Sequence, residues 1–171
     1  MRILVTGGVR SGKSRHAEEL LARHHDVVYV APGPASDDPD WAARIAAHRA
    51  RRPTSWTTVE TRDLVAAFRR PGALLVDCLG TWLTGVLDER ELWDAPVQEV
   101  TAVVDRLVAD AVAALRQRSD VVLVTNEVGL GVVPAHRSGR LFRDLLGGVN
   151  QAFGAACGEV HLVVAGRVLV L

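Results

Sequence analysis

Eight residues near the N-terminus constrain the fold more than any other stretch of this sequence. Gly7-Gly8-Val9-Arg10-Ser11-Gly12-Lys13-Ser14 follows the apolar run Ile3–Thr6 and precedes a helical pattern from Arg15 to about Arg23. The spacing G-x-x-x-x-G-K-S between a strand and a helix is that of a phosphate-binding loop, or P-loop. Glycine lets the backbone wrap a phosphate closely, with several N–H groups turned inward. The helix that follows adds the partial positive charge of its N-terminus at the same spot. Lys13 can then reach the β- and γ-phosphates of a nucleoside triphosphate, and the Ser14 hydroxyl can ligate Mg²⁺. Lys13 is the only lysine among 20 basic residues. A compact ammonium suits a phosphate cradle, where a planar guanidinium is not equivalent.

The rest of the chain reads as the α/β frame such a loop needs. Continuous Val/Leu/Ile runs at Ile3–Thr6, Val27–Ala31, Ala73–Asp77, Val121–Thr125 and Val160–Ala165 have the pattern of parallel strands covered on both faces. Val97, Val100, Val104, Val108, Ala111 and Leu115 recur at helical spacing, and Arg137 to Cys157 forms a second long helical candidate. Gly166-Arg167 turns the chain into a short antiparallel edge strand, Val168–Leu171. Pro32–Asp40 reads as a loop. With 171 residues, a single domain over residues 1–171 is expected.

A formal net charge of +0 removes the electrostatic argument for nucleic acid or an anionic membrane as partner. No apolar stretch reaches the length of about 18 residues that a membrane span requires. The lead before the glycines is too short for a signal-peptide core. The expected location is the cytoplasm, with Cys78 and Cys157 reduced.

Three further positions allow two readings each. Asp77 closes an apolar strand, where it can hold Mg²⁺ beside a P-loop or cap the next helix. Glu127 follows the run Val121–Thr125, where it can position water or an incoming hydroxyl, or serve as a loop acid. Arg140 and Arg143, spaced i, i+3, can face a phosphate together or face solvent.

The segment Arg44-Ile45-Ala46-Ala47-His48-Arg49-Ala50-Arg51-Arg52-Pro53 reads by itself as a solvated helix face. In combination it says more. Ile3-Leu4-Val5-Thr6 runs into the P-loop, and the His48 segment continues to Trp56, Thr58 and Glu60. Val76-Asp77-Cys78-Leu79 and Val124-Thr125-Asn126-Glu127-Val128-Gly129 come next, followed by Gly131, Val133-Pro134, Arg140, Phe142-Arg143-Asp144 and Val149-Asn150-Gln151. Nearly end to end, and in this order, the sequence resembles the bifunctional adenosylcobinamide kinase / adenosylcobinamide-phosphate guanylyltransferase family of cobalamin assembly.

The resemblance implies a P-loop (RecA-like) α/β fold with a mostly parallel sheet flanked by helices. It implies two reactions: phosphorylation of the aminopropanol hydroxyl of adenosylcobinamide by ATP or GTP, then transfer of GMP from GTP onto that phosphate. It also implies Mg²⁺ as cofactor and a homotrimer. By motif position His48 carries GMP covalently, and Lys13 is the second catalytic residue. Nucleotide contacts fall on Gly7, Gly8, Val9, Arg10, Ser11, Gly12, Lys13 and Ser14, on Ala31, Pro32 and Gly33, on Arg49, Ala50, Arg51 and Arg52, and on Glu60 and Asp77. Glu60 would bind guanine or ribose; without the resemblance it reads as a surface acid. Ser14 and Asp77 are the expected metal ligands.

The chemistry is coherent from the residues up. Neutral imidazole is nucleophilic near physiological pH and can attack the α-phosphorus of GTP. Arg49, Arg51 and Arg52 are placed to offset the charge that accumulates on phosphorus and pyrophosphate. Departures from the family pattern are Pro32, Gly80 and Gly85, and a tail without the proline and terminal lysine often seen. Two other readings account for less of the sequence. A monofunctional P-loop small-molecule kinase leaves the His48 segment unexplained. A GTP-binding switch module fits D-x-x-G at Asp77–Gly80 but lacks N-K-x-D, since the one lysine sits in the P-loop.

Overall fold

The computed structural model describes residues 1–33, 43, 46, 50 and 52–171. The strands form because their side chains are apolar on both faces. In β4 (Ala73–Asp77) every residue but the terminal Asp77 is buried. Ala73 and Leu75 point to one side, where they pack with Ile3, Val5, Val122 and Val124 against Ala17 and Leu21 and beside Trp56. Leu74 and Val76 point to the other side, with Leu4 and Leu123, against the remaining helices. Full burial of one such Leu or Val stabilises by about 1.5–3 kcal/mol.

Six further strands join β4: β1 (Arg2–Thr6), β2 (Val27–Ala31), β3 (Thr57–Glu60), β5 (Val121–Val124), β6 (Glu159–Val164) and β7 (Arg167–Val170). The order is β3-β2-β4-β5-β1-β6-β7. Every pair is parallel except β6 with β7. The expected mostly parallel sheet with an antiparallel C-terminal edge is therefore what forms. Ala165 and Gly166, both at positive φ, make the two-residue turn before β7.

Helix α1 (Lys13–Leu20) covers one face. The other carries α2 (Leu64–Phe68), α3 (Leu79–Glu89), α4 (Val97–Arg116) and α5 (Arg137–Gly154). In α4 the predicted face, from Val100 to Leu115, is buried, while Val97 in the first turn is exposed. Helix α5 stops at Gly154, three residues before Cys157. The sequence reading missed β3, α2 and α3. Both cysteines are free thiols. Burial, with Asp77 adjacent, raises the Cys78 thiol, and burial pushes the Cys157 thiol up to about 11.

Candidate active site

Because β1 to β5 run parallel, their C-terminal ends share one edge of the sheet. Residue pairing puts the predicted site residues nearly level along that edge. Glu60 pairs with Ala31, Asp77 with Val124, and Val124 with Val5, one residue before Thr6. Asp77 thus lies two strand spacings, roughly 10 Å, across the sheet from the head of β1. The motif residues from four strands are brought together by the topology alone.

The P-loop leaves β1 as a tight backbone wrap. A Cβ at Gly7 would sit 2.4 Å from the Val163 carbonyl oxygen, so only glycine fits there. Gly12, at φ 99, takes the left-handed turn that starts α1. Ser11 N–H donates to the Gly8 carbonyl at 3.3 Å, and Gly166 N–H donates to the Ser11 carbonyl at 2.8 Å. The β6–β7 turn therefore braces the loop from behind. Lys13 is only 6% exposed, and its ammonium donates to the Gly8 carbonyl at 3.1 Å. The hydroxyls of Thr6 and Ser11 are buried with no hydrogen-bond partner among the described residues. Both represent polar capacity that a bound phosphate can satisfy. Gly8, Val9 and Arg10 are exposed at the crest, and Ser14 is half-buried in the first turn of α1.

Around Asp77 the structure supplies partners the sequence reading missed. The Tyr29 hydroxyl, from β2, donates to Asp77 Oδ2 at 3.1 Å. Burial first, and the adjacent Asp77 second, push the Tyr29 hydroxyl far above its ordinary range, so it remains a donor. Over the Tyr29 ring lies the Arg52 guanidinium, 3.6 Å from the centroid; a cation held on an aromatic face is stabilised by the ring quadrupole. Arg52 also donates to Thr58 Oγ1 at 3.2 Å. The only available signal for Tyr29 was a lone tyrosine inside an apolar strand. Ala31 ends β2, Pro32 and Gly33 follow it, and the Gly33 carbonyl accepts from Arg62 at 3.4 Å. Arg62 occupies the space that Gly85 leaves open: a Cβ there would meet Arg62 Cδ at 2.7 Å. A Cβ at Gly80 would meet Asn126 Oδ1 at 2.9 Å.

Other expected residues are placed less directly. Glu60 is exposed at the end of β3, and Ala50 is exposed on a helical residue. His48, Arg49 and Arg51 lie outside the described residues. Glu127 N–H donates to the Gly7 carbonyl at 3.1 Å, while its carboxylate accepts from Gly129 N–H at 2.6 Å. Arg140 and Arg143 do not simply face solvent. Arg140 donates to the Pro134 and Ala135 carbonyls, and Arg143 to those of Gly129 and Gly131.

Among the described residues no cluster of three or more His, Cys, Asp or Glu could cage a metal. Mg²⁺ does not require one, because it is commonly held by one or two protein oxygens plus phosphate oxygens and water. Ser14 and Asp77, both hard oxygen donors, fit that demand.

This geometry defines a P-loop nucleotide-binding enzyme with an α/β frame. A solved structure of a prototypical ATPase from the type III secretion system of pathogenic bacteria has the same fold, with a TM-score of 0.54 at 12% identity over 94% of this chain and 50% of that one. The chain belongs to the cobinamide kinase / cobinamide phosphate guanyltransferase family, whose model matches residues 3–171. Similar relatives include the bifunctional adenosylcobalamin biosynthesis protein CobU of Escherichia coli (strain K12), 45% identical over 97% of each chain. CobU of Salmonella typhimurium is 44% identical over 97% of each. CobP of Pseudomonas aeruginosa is 42% identical over 97% of this chain and 94% of its own. The protein is thus a bifunctional cobinamide kinase and guanylyltransferase of adenosylcobalamin biosynthesis. No described helix is long and apolar enough to cross a membrane.

Proposed function

We propose that one pocket, at the edge where β1, β2, β4 and β5 end, carries out both reactions, and that His48 carries GMP covalently between them. In the kinase step ATP or GTP lies in the P-loop. Lys13 and the loop N–H groups stabilise the charge on the transferring γ-phosphoryl group while the cobinamide hydroxyl attacks; the bond from the γ-phosphorus to the β,γ-bridging oxygen breaks, ADP or GDP leaves, and the hydroxyl proton is lost to water. When bound, Mg²⁺ would be held by Ser14 and Asp77 and would offset the charge on the phosphate oxygens. In the transferase step a neutral His48 nitrogen attacks the α-phosphorus of GTP, and the bond to the pyrophosphate oxygen breaks. The phosphate of adenosylcobinamide phosphate then attacks the same phosphorus. The P–N bond breaks, imidazole is restored, and adenosylcobinamide-GDP leaves.

One observation carries the reading. Arg52, from the segment that bears His48, is stacked on Tyr29, and Tyr29 is hydrogen-bonded to Asp77. The histidine segment and the expected metal ligand therefore share a contact. Arg49, Ala50 and Arg51 would line the nucleotide with Arg52, and Glu60 and the Ala31–Gly33 turn would bound its base or ribose. We further propose that one domain bears both activities, that it works in the cytoplasm, and that it assembles as a homotrimer. The open edge at β7, with Val168, Leu169 and Val170 exposed, supports assembly.

Incubation with Mg²⁺ and GTP labelled at the α-phosphate, without corrinoid, tests the covalent step. Acid-labile, base-stable label is expected on the wild type and not on His48→Ala. A folded, GTP-binding wild type that takes up no label would sink the intermediate.

A further inference from the structure

The chain leaving β5 is rooted on the P-loop and carries apolar side chains out into water. Its root is the bond from Glu127 N–H to the Gly7 carbonyl, 3.1 Å long. Leu130, Val132 and Val133 then stand 88%, 95% and 65% exposed, and Val9 on the crest of the P-loop is 74% exposed. A single exposed apolar residue needs no explanation, but a group of them in one loop beside a reaction site does. Leu130 is three residues past Glu127, so its backbone lies within about 11 Å of that root.

The loop is held in place as well as exposed. Arg143 donates to the Gly129 carbonyl at 3.1 Å and the Gly131 carbonyl at 3.2 Å. Arg140 donates to those of Pro134 and Ala135 at 3.0 and 2.7 Å. The guanidinium groups engage the loop's carbonyls and leave its apolar side chains facing outward. What remains on offer is a greasy, side-chain surface in a loop rooted on the P-loop.

The kinase acceptor is a hydroxyl on a short arm of a large, flat macrocycle with a methyl-bearing rim. Such a substrate needs an apolar rest within an arm's length of the P-loop. We infer that Val9, Leu130, Val132 and Val133 form that rest, holding the corrin face while its hydroxyl arm reaches the phosphate. This rests on the cobinamide kinase assignment and adds the residues that select the acceptor. A second copy of the chain is the rival occupant. It is better served by β7, whose outer backbone edge pairs with no other strand among the described residues and which also offers apolar side chains.

The test combines Leu130→Ser, Val132→Ser and Val133→Ser in the full chain, all at exposed positions. Cobinamide binding is followed by equilibrium dialysis through the colour of the corrin, ATP binding is measured separately, and mass is read by sedimentation. The expected result is cobinamide affinity lower by about tenfold or more, with ATP affinity and mass unchanged. Equal cobinamide affinity in variant and wild type would overturn the inference alone. Loss of affinity together with a smaller assembly would overturn it in favour of a subunit contact. A wild type that binds ATP but no cobinamide would remove the family reading, and this inference with it.

Discussion

The P-loop and the turn after β2 sit on the same edge of the same sheet, yet they are held by different kinds of bond. The P-loop is fixed through its backbone: Gly166 N–H to the Ser11 carbonyl, Ser11 N–H to the Gly8 carbonyl, and Glu127 N–H to the Gly7 carbonyl. The head of β2 is fixed through side chains: Arg62 to the Gly33 carbonyl, Arg52 over Tyr29, and Tyr29 to Asp77. A backbone cradle offers N–H groups to phosphate whatever most of its side chains are. A side-chain lattice can be retuned residue by residue. On the reading proposed above, generic phosphate binding falls to the first region and the features particular to nucleotidyl transfer to the second.

The largest expected effect breaks the comparison outright. Lys13→Ala removes the buried ammonium from the cradle, and cobinamide phosphorylation should fall by about 10²–10³-fold, or roughly 2.7–4 kcal/mol of transition-state stabilisation. If one pocket serves both reactions, covalent labelling by GTP should fall with it. Labelling at the wild-type rate in this variant would show two separate pockets. Steady-state phosphorylation and α-label uptake, measured on one preparation, give both answers.

A smaller effect sharpens the division. Tyr29→Phe keeps the ring beneath Arg52 but removes the donor to Asp77 Oδ2. The kinase rate should drop by about tenfold, in line with one hydrogen bond to a charged group, and the Mg²⁺ concentration for half-maximal rate should rise. GTP labelling should fall with it, since the same pocket and the same carboxylate serve both steps. Tyr29→Leu, which also removes the ring beneath Arg52, should lower labelling further than phosphorylation. If Tyr29→Phe shows an unchanged Mg²⁺ dependence, Asp77 does not act through metal.

The same division explains what was readable in the sequence. The P-loop was legible because glycine spacing dictates local backbone geometry, and β1, β2, β4, β5 and β6 were legible as apolar runs. β3, Thr57-Thr58-Val59-Glu60, was not, because it has only one apolar residue and three exposed positions. α3 was masked by Gly80, Thr81, Thr84 and Gly85, poor helix formers, although Leu79, Trp82, Leu83, Val86 and Leu87 bury one face. Tyr29 could be seen as a tyrosine in a strand. That its hydroxyl meets a carboxylate 48 residues away follows only from the pairing of Val30 with Val76. Arg140 and Arg143 showed their spacing but not their partners, which are carbonyls of a loop the helix folds back on. Side-chain lattices across long sequence separations have no local signature.

The smallest expected effect concerns a third tie, behind the P-loop. His16 on α1 meets His161 of β6 at 2.8 Å, and His161 meets Glu159 at 2.8 Å. Burial, and then the neighbouring His161, hold His16 below its ordinary 6.5, with Glu19 opposing weakly. The folded protein thus resists protonating His16 while the unfolded chain takes the proton at the ordinary value. Stability from this group is whole above pH 6.5 and declines as the pH falls below it. The ring is partly open to water, so the loss should be only a fraction of about 1 kcal/mol. Thermal unfolding at about pH 7.5 and about pH 5.5 checks the sign, and the wild type should lose more Tm on acidification than His16→Gln. Equal losses would mean that α1 is seated by its apolar face alone, through Ala17 and Leu21, and that the P-loop owes nothing to the histidine pair.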